Sequence, residues 1–138
     1  MAALRYLLDT NSLSDLIRNP GGIVTRRIGA VGESTVCTSI VVACELRYGA
    51  VKKGSPRLTA RVEQLLGSLE VLPLEGDADH HYAEIRAHLH RMGQPIGPND
   101  LLIAAHTLAL GLTLVTGNVQ EFSRVPGLSI ENWLSPSS

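Results

Sequence analysis

The chain has 138 residues, 44% hydrophobic and 18% charged, and its formal net charge is −1. At about 150 residues per domain this is one domain, and a mean hydropathy of +0.13 excludes a mainly disordered chain. The longest apolar runs, near Ile40 to Cys44, fall far short of the roughly 18 residues of a membrane span.

Arg5 to Leu8 is a short run that stops abruptly at Asp9-Thr10-Asn11-Ser12. That pattern predicts a buried strand followed by turn or N-cap chemistry. Leu13, Leu16 and Ile17 have helical spacing, which Asn19-Pro20-Gly21-Gly22 ends. Val24, Ile28 and Val31 predict a second helix, ending near Gly32. Val36 to Thr38 is short and β-rich. Ser39 caps a third helix running to about Lys53, and Gly54 stops it. Ser55-Pro56 is a cap followed by proline at the first helical position; Leu58, Val62, Leu65, Leu66 and Leu69 form the stripe of that helix. Val71, Leu72 and Leu74 predict a third strand. Ala78, Tyr82, Ile85 and Leu89 mark a fifth helix, ending near Gly93. Gly97-Pro98-Asn99 opens a sixth, with Leu102, Ile103 and Leu110 expected to face inward, and Gly111 follows it. Leu112 to Thr116 and Leu128 to Ile130 complete the strands. Strands alternating with helices imply an α/β fold: a three-layer α/β/α domain around a short parallel sheet of four to five strands. The domain is expected over residues 1–134, with a short flexible tail at 135–138.

Arg5 and Asp9 flank too few apolar residues for a secretory signal. Cys37 and Cys44 sit in apolar contexts without a CxxC. Both are expected to be reduced packing residues of a cytoplasmic protein, neither a bridge nor a zinc site.

The balanced net charge hides an uneven distribution. Arg47, Lys52, Lys53, Arg57 and Arg61 follow one another without an acid, and Glu63, Glu70, Glu75, Asp77, Asp79 and Glu84 without a base. Two solvated helix faces of opposite sign would explain this; so would a basic patch that meets phosphates. His81, Glu84 and His88 share one helix face and read as solvated. His106, among Ala104, Ala105 and Leu108, reads as structural.

Four side chains carry the chemical signal. Asp9 and Asn118 each follow a strand, Asp100 lies in the first turn of a helix, and Glu45 interrupts an apolar run. In an open α/β sheet the crevice beyond the strands' carboxyl ends binds ligands. Turn chemistry and the helix macrodipole could account for Asp9, Asn118 and Asp100 one at a time. Glu45 resists that explanation, because Val41 and Val42 one turn earlier place it in a half-buried position, and buried carboxylates are paired or bind metal. Together, three carboxylates and an amide oxygen suit Mg²⁺ or Mn²⁺.

Leu7-Leu8-Asp9-Thr10-Asn11, Glu45-Leu46-Arg47-Tyr48-Gly49, the stretch from Pro95-Ile96-Gly97-Pro98-Asn99-Asp100 to Ala105-His106, Leu114-Val115-Thr116, Asn118 and Glu121-Phe122 occur in this order. In order and spacing they resemble the PIN-domain ribonucleases, in particular the VapC-type toxins of bacterial toxin–antitoxin pairs. The resemblance covers almost the whole chain. It implies that Asp9, Glu45 and Asp100 are the metal-binding acids and that Asn118 is a fourth catalytic position, orienting water or a second ion. Thr10, Asn11 and Thr116 become supporting residues. Gly117 departs from the larger polar or basic residue of many relatives and is expected to loosen the Asn118 loop.

The resemblance further implies a Mg²⁺-dependent endoribonuclease, with Mn²⁺ able to substitute, that cuts tRNA or ribosomal RNA to leave a 5′-phosphate and a 3′-hydroxyl. Arg47, Lys52, Lys53 and Arg57 are the candidate RNA contacts. A VapB-type antitoxin, a homodimer and a higher toxin–antitoxin assembly are the implied partners, with no membrane. Two other readings stay open at this point: a catalytically weak RNA- or partner-binding module, and a structure-specific DNA nuclease.

Overall fold

The computed structural model describes residues 3–135, so the expected tail beyond Ser135 lies outside the described residues. Among them run β1 (Tyr6–Leu8), α1 (Thr10–Arg18), α2 (Ile23–Val31), β2 (Val36–Ser39), α3 (Ile40–Lys53), α4 (Pro56–Ser68), β3 (Glu70–Leu72), α5 (Ala78–Arg91), α6 (Pro98–Leu110), β4 (Thr113–Val115), α7 (Val119–Phe122) and β5 (Ser129–Glu131). The strands form one sheet in the order β3-β2-β1-β4-β5, and every pairing is parallel.

Every residue of β1 and β2 is buried. Successive strand residues point to opposite faces, so continuous burial means that both faces are covered. The expected three-layer α/β architecture follows, with five strands. No helix among the described residues is long and apolar enough to cross a membrane.

The helix starts are set where the polar signals predict. Asp9 Oδ1 accepts from Ser12 N at 2.9 Å, Ser39 Oγ from Val41 N at 3.0 Å, and Ser55 Oγ from Leu58 N at 3.2 Å. Each such cap contributes about 1 kcal/mol. Gly54 ends α3 at φ 68°, a left-handed conformation that favours glycine. Leu7, Leu8, Leu13, Val42, Ile103 and Leu114 are completely buried at the centre. Trp133 closes the far end, its ring 5.1 Å from that of Tyr6 and its Nε1 donating to Glu131 Oε1 at 3.0 Å.

Four expectations are corrected. Leu110 is exposed and Leu102 only partly buried; Ile103 is buried as expected, and α6 also buries Leu101 and the run Ala104 to Thr107. The helix is clamped between α5 on one side and α3 and β4 on others, so a single apolar stripe does not describe it. Leu74 lies beyond β3 and is exposed. Cys44 is exposed on α3, whereas Cys37 is buried and its thiol is pushed up to about 12, mainly by burial. Gly117 does not loosen its loop. A Cβ there would lie 2.7 Å from Leu134 Cδ1, and Asn118 N donates to Thr116 Oγ1 at 2.9 Å. The loop is packed and pinned. The short α7 and a 3-10 turn at Glu33–Thr35 escaped the sequence pattern, being too short to show a period.

Candidate active site

The chain lays down β2 and β3 on one side of β1, then returns to place β4 and β5 on the other. Strand order therefore reverses between β1 and β4, which opens a crevice at their carboxyl ends. Leu8 pairs with Val115, so the next residues, Asp9 and Thr116, stand side by side. Asp9 N donates to Val115 O at 3.0 Å, and Thr116 N to Glu131 O at 2.9 Å. The Asp9 carboxylate is 5% exposed and hydrogen-bonds both Ser12 and the Thr116 hydroxyl. Burial outweighs these bonds and holds its pKa above the usual carboxylate range, with the Glu45 charge adding in the same direction.

Glu45 stands on the second turn of α3, half-buried beyond Val41 and Val42. Two donors fix it: Thr10 Oγ1 bonds Oε1, and Asn99 Nδ2 bonds Oε2 at 3.2 Å. Asp100, in the first turn of α6, is the most perturbed acid. It is pushed up to about 7, first by burial, then by a hydrogen bond to Glu121 and the Glu121 charge, then by Glu45 and Asp9. Thr10, next to Asp9, and Asn99, next to Asp100, both bond Glu45, and Asp100 Oδ2 and Glu121 Oε1 both lie beside Gly97, so the four acids share one crevice.

Glu121, on α7, joins the site; the sequence marked it, with Phe122, only as part of the resemblance and not as a site residue. Its Oε1 accepts from Gly97 N at 2.9 Å and its Oε2 from Asn118 Nδ2. The signal was its place three residues after Asn118 at the start of a helix, the spacing of a capping box. Asn118 thus reaches the acids through Glu121, by its amide, and through Thr116, by its backbone N–H. Asn11 is exposed in α1 and takes no part in this network among the described residues.

The basic segment divides. Arg47 forms a two-pronged ion pair with Glu63, Nε to Oε2 at 2.8 Å and Nη2 to Oε1 at 2.9 Å. Lys52, Lys53 and Arg57 are exposed. Lys53 lines a cavity of about 250 Å³ that also touches Thr10 and Glu45.

No three His, Cys, Asp or Glu side chains among the described residues close to metal-ligand spacing. The chemistry of the crevice nevertheless fits a divalent cation. Its donors are carboxylate oxygens, the ligands that Mg²⁺ and Mn²⁺ prefer, and their mutual repulsion on Asp100 is what a cation relieves.

His106 is buried on α6, its Nδ1 2.8 Å from Ser39 Oγ, the cap of α3. Its Nε2 is buried and has no hydrogen-bond partner among the described residues. The Nδ1 contact ties the helix carrying Asp100 to the helix carrying Glu45.

Residues 6–128 match the PIN domain family model. The chain is 41% identical over 131 residues to the tRNA(fMet)-specific endonuclease VapC of Salmonella typhimurium, covering 94% of this chain and 98% of that one. It is 40% identical over 133 residues to ribonuclease VapC2 of Haemophilus influenzae, with 95% and 99% covered. The fold superposes on the crystal structure of DNA-bound VapBC from Salmonella typhimurium with a TM-score of 0.89 at 41% identity, over 94% of this chain and 98% of the other.

Proposed function

Because the chain belongs to the PIN-domain family, and within it to the VapC endoribonuclease toxins of toxin–antitoxin pairs, we propose that its acidic crevice hydrolyses tRNA(fMet). The cofactor is Mg²⁺, replaceable by Mn²⁺. The observation that carries this reading is the convergence of Asp9, Glu45, Asp100 and Glu121 at the switch point of the sheet. The 41%-identical relative from Salmonella typhimurium, named for tRNA(fMet), supports the choice of substrate.

Asp9, Glu45 and Asp100 would hold the cation. Bound there, it lowers the pKa of water and stabilises charge developing on a scissile phosphate. The chain's own part is preorganisation. Thr10 and Asn99 fix the Glu45 carboxylate, and Ser12 and Thr116 fix Asp9. Glu121 holds the first turn of α6 through Gly97 N, and Asn118 through its amide. Water attacks phosphorus in line and the 3′ oxygen leaves, which yields a 5′-phosphate and a 3′-hydroxyl. Lys52, Lys53 and Arg57 supply backbone contacts.

The partner is a VapB-type antitoxin in a homodimeric, higher assembly. Its inhibitory segment fits the groove along α1, α3 and α4, where the cavity beside Glu45 continues past Ile17 into another of about 360 Å³ lined by Leu16, Pro20 and Leu65. Purified tRNA(fMet) incubated with the protein in Mg²⁺, with 5′-end mapping, tests the reading. Cleavage should vanish in EDTA and in Asp9→Asn. Undiminished cleavage under either condition overturns it.

A further inference from the structure

We propose that the pocket between α5 and the first turn of α6 is a nucleobase subsite, in which Tyr82 and Arg86 hold a base flanking the scissile phosphate. The proposal rests on the endoribonuclease reading and extends it to base recognition.

The pocket encloses about 280 Å³, floored by Leu89 and Leu101 and walled by Pro95, Pro98 and Tyr82, with Arg86 and His90 at its rim. An apolar slot with aromatic and cationic edges is what an unstacked base needs. No acid lines it. The neighbouring pocket on the other side of Tyr82, about 380 Å³, carries Glu75 and Asp79 and so repels a phosphate chain. Charge therefore selects between two adjacent openings.

Arg86 is already oriented. Its Nη1 donates to Tyr82 Oη at 2.9 Å, and its guanidinium carbon lies 5.9 Å from the ring centroid. A guanidinium held beside a ring offers a planar face and spare donors to a base. Arg86 also keeps its charge for a ligand, since Arg47–Glu63 is the one side-chain ion pair among the described residues. Arg86, His88, His90 and Arg91 follow one another without an acid. This second basic run carries no such neutralising pair.

Position ties the pocket to the chemistry. Pro98 and Leu101 line it, and Asp100 between them turns to the acidic crevice. The pocket and the crevice thus share the first turn of α6. The pocket wall is braced from the catalytic side, because Arg124 Nη1, just past α7, donates to Pro95 O at 3.2 Å.

The test couples base removal to mutation. The wild-type cut in bulk RNA is mapped by 5′-end sequencing, and a synthetic stem–loop spanning it is made with single abasic residues on either side of the cut. Affinity is read by fluorescence anisotropy in an Asp9→Asn background, and kcat and KM in the active enzyme. One abasic position should weaken binding on the order of tenfold. That loss should be absent in Arg86→Ala, reduced in Arg86→Lys, and only partly reduced in Tyr82→Phe, which keeps the ring. Equal losses from an abasic residue with and without Arg86, or an abasic scan with no sensitive position, overturn the subsite while leaving the nuclease reading intact. Absence of any wild-type cut overturns the nuclease reading and the subsite with it.

Discussion

Asp100, in the first turn of α6, and Glu121, on α7, converge beside Gly97, whose N–H donates to Glu121 Oε1 at 2.9 Å. Burial first, and then the neighbouring Glu121 carboxyl, favour a proton on Asp100 and push it up to about 7.

The first prediction is that the EDTA-treated protein loses stability as pH rises. Asp9 and Asp100 both titrate above their ordinary value of 3.8. At these two acids the native state therefore binds more protons than the unfolded state between about pH 4 and pH 7, and their contribution to stability falls across that window, against an opposite contribution from buried His106, whose pKa is lowered. The full Asp100 shift corresponds to about 4 kcal/mol. Asp100 is half-exposed, and screening by water leaves on the order of 1 kcal/mol, roughly 3–5 °C in Tm for a domain of this size. Thermal unfolding in EDTA from pH 5 to 8 should show the fall, Asp100→Asn should flatten it, and Mg²⁺ should reverse it. A pH dependence of Tm in EDTA that is unchanged in Asp100→Asn contradicts the geometry.

The second prediction concerns Glu121, which is a brace for two other groups as well as an acid. Glu121→Ala removes the acceptor for Gly97 N and for the Asn118 amide. Outer partners of this kind are worth about 10- to 100-fold in metal affinity or activity. Cleavage and Mg²⁺ affinity should both fall within that range, and more than in Asn118→Ala, which removes only one of the contacts. Wild-type values for both in Glu121→Ala would return Glu121 to an ordinary helix residue.

The layout of the acids was legible in the sequence because three of them interrupt strong patterns. Asp9 ends an apolar strand, Asp100 opens a proline-capped helix, and Glu45 breaks an apolar run. Glu121 was legible as part of the resemblance, together with Phe122, but not as a member of the acidic site, since an acid in a one-turn helix shows no period. Only the return of β4 beside β1, a long-range pairing, brings it to Asp100. The same limit explains Leu110 and Leu102. Periodicity describes a helix with one buried face, and α6 is covered on several.

The third prediction separates the members of the basic segment. Arg47 is engaged by Glu63, whereas Lys52, Lys53 and Arg57 are exposed. Lys52→Ala, Lys53→Ala and Arg57→Ala should each weaken RNA binding uniformly across sequences and reduce the salt slope by about one unit or less. Arg47→Ala should do less, and Glu63→Gln should strengthen binding by releasing Arg47. Titration of RNA at several salt concentrations reads all of these. A triple variant with an unchanged slope would make the segment a solvated face.

The fourth prediction concerns inhibition, and it follows from where the groove meets the acids. The cavity along α1, α3 and α4 ends at Glu45 and Thr10, so a partner segment lying in it delivers its end to the acidic crevice. Clustered carboxylates disfavour their own ionisation, and a guanidinium relieves this by pairing bidentately without losing its proton. The antitoxin is therefore expected to place an Arg or Lys among Asp9, Glu45 and Asp100, where it competes with Mg²⁺. Titrating antitoxin against wild type and Asp100→Ala, with and without Mg²⁺, distinguishes the alternatives. In the wild type, Mg²⁺ should weaken antitoxin binding. In Asp100→Ala, affinity should fall and the Mg²⁺ effect should disappear, because both ligands lose the same carboxylate. Ile17→Ala, in the groove but remote in chemistry, should weaken antitoxin binding and leave its sensitivity to Mg²⁺ in place. Tight binding indifferent to both metal and Asp100→Ala would mean that the antitoxin inhibits by covering the RNA surface, with the acids left open.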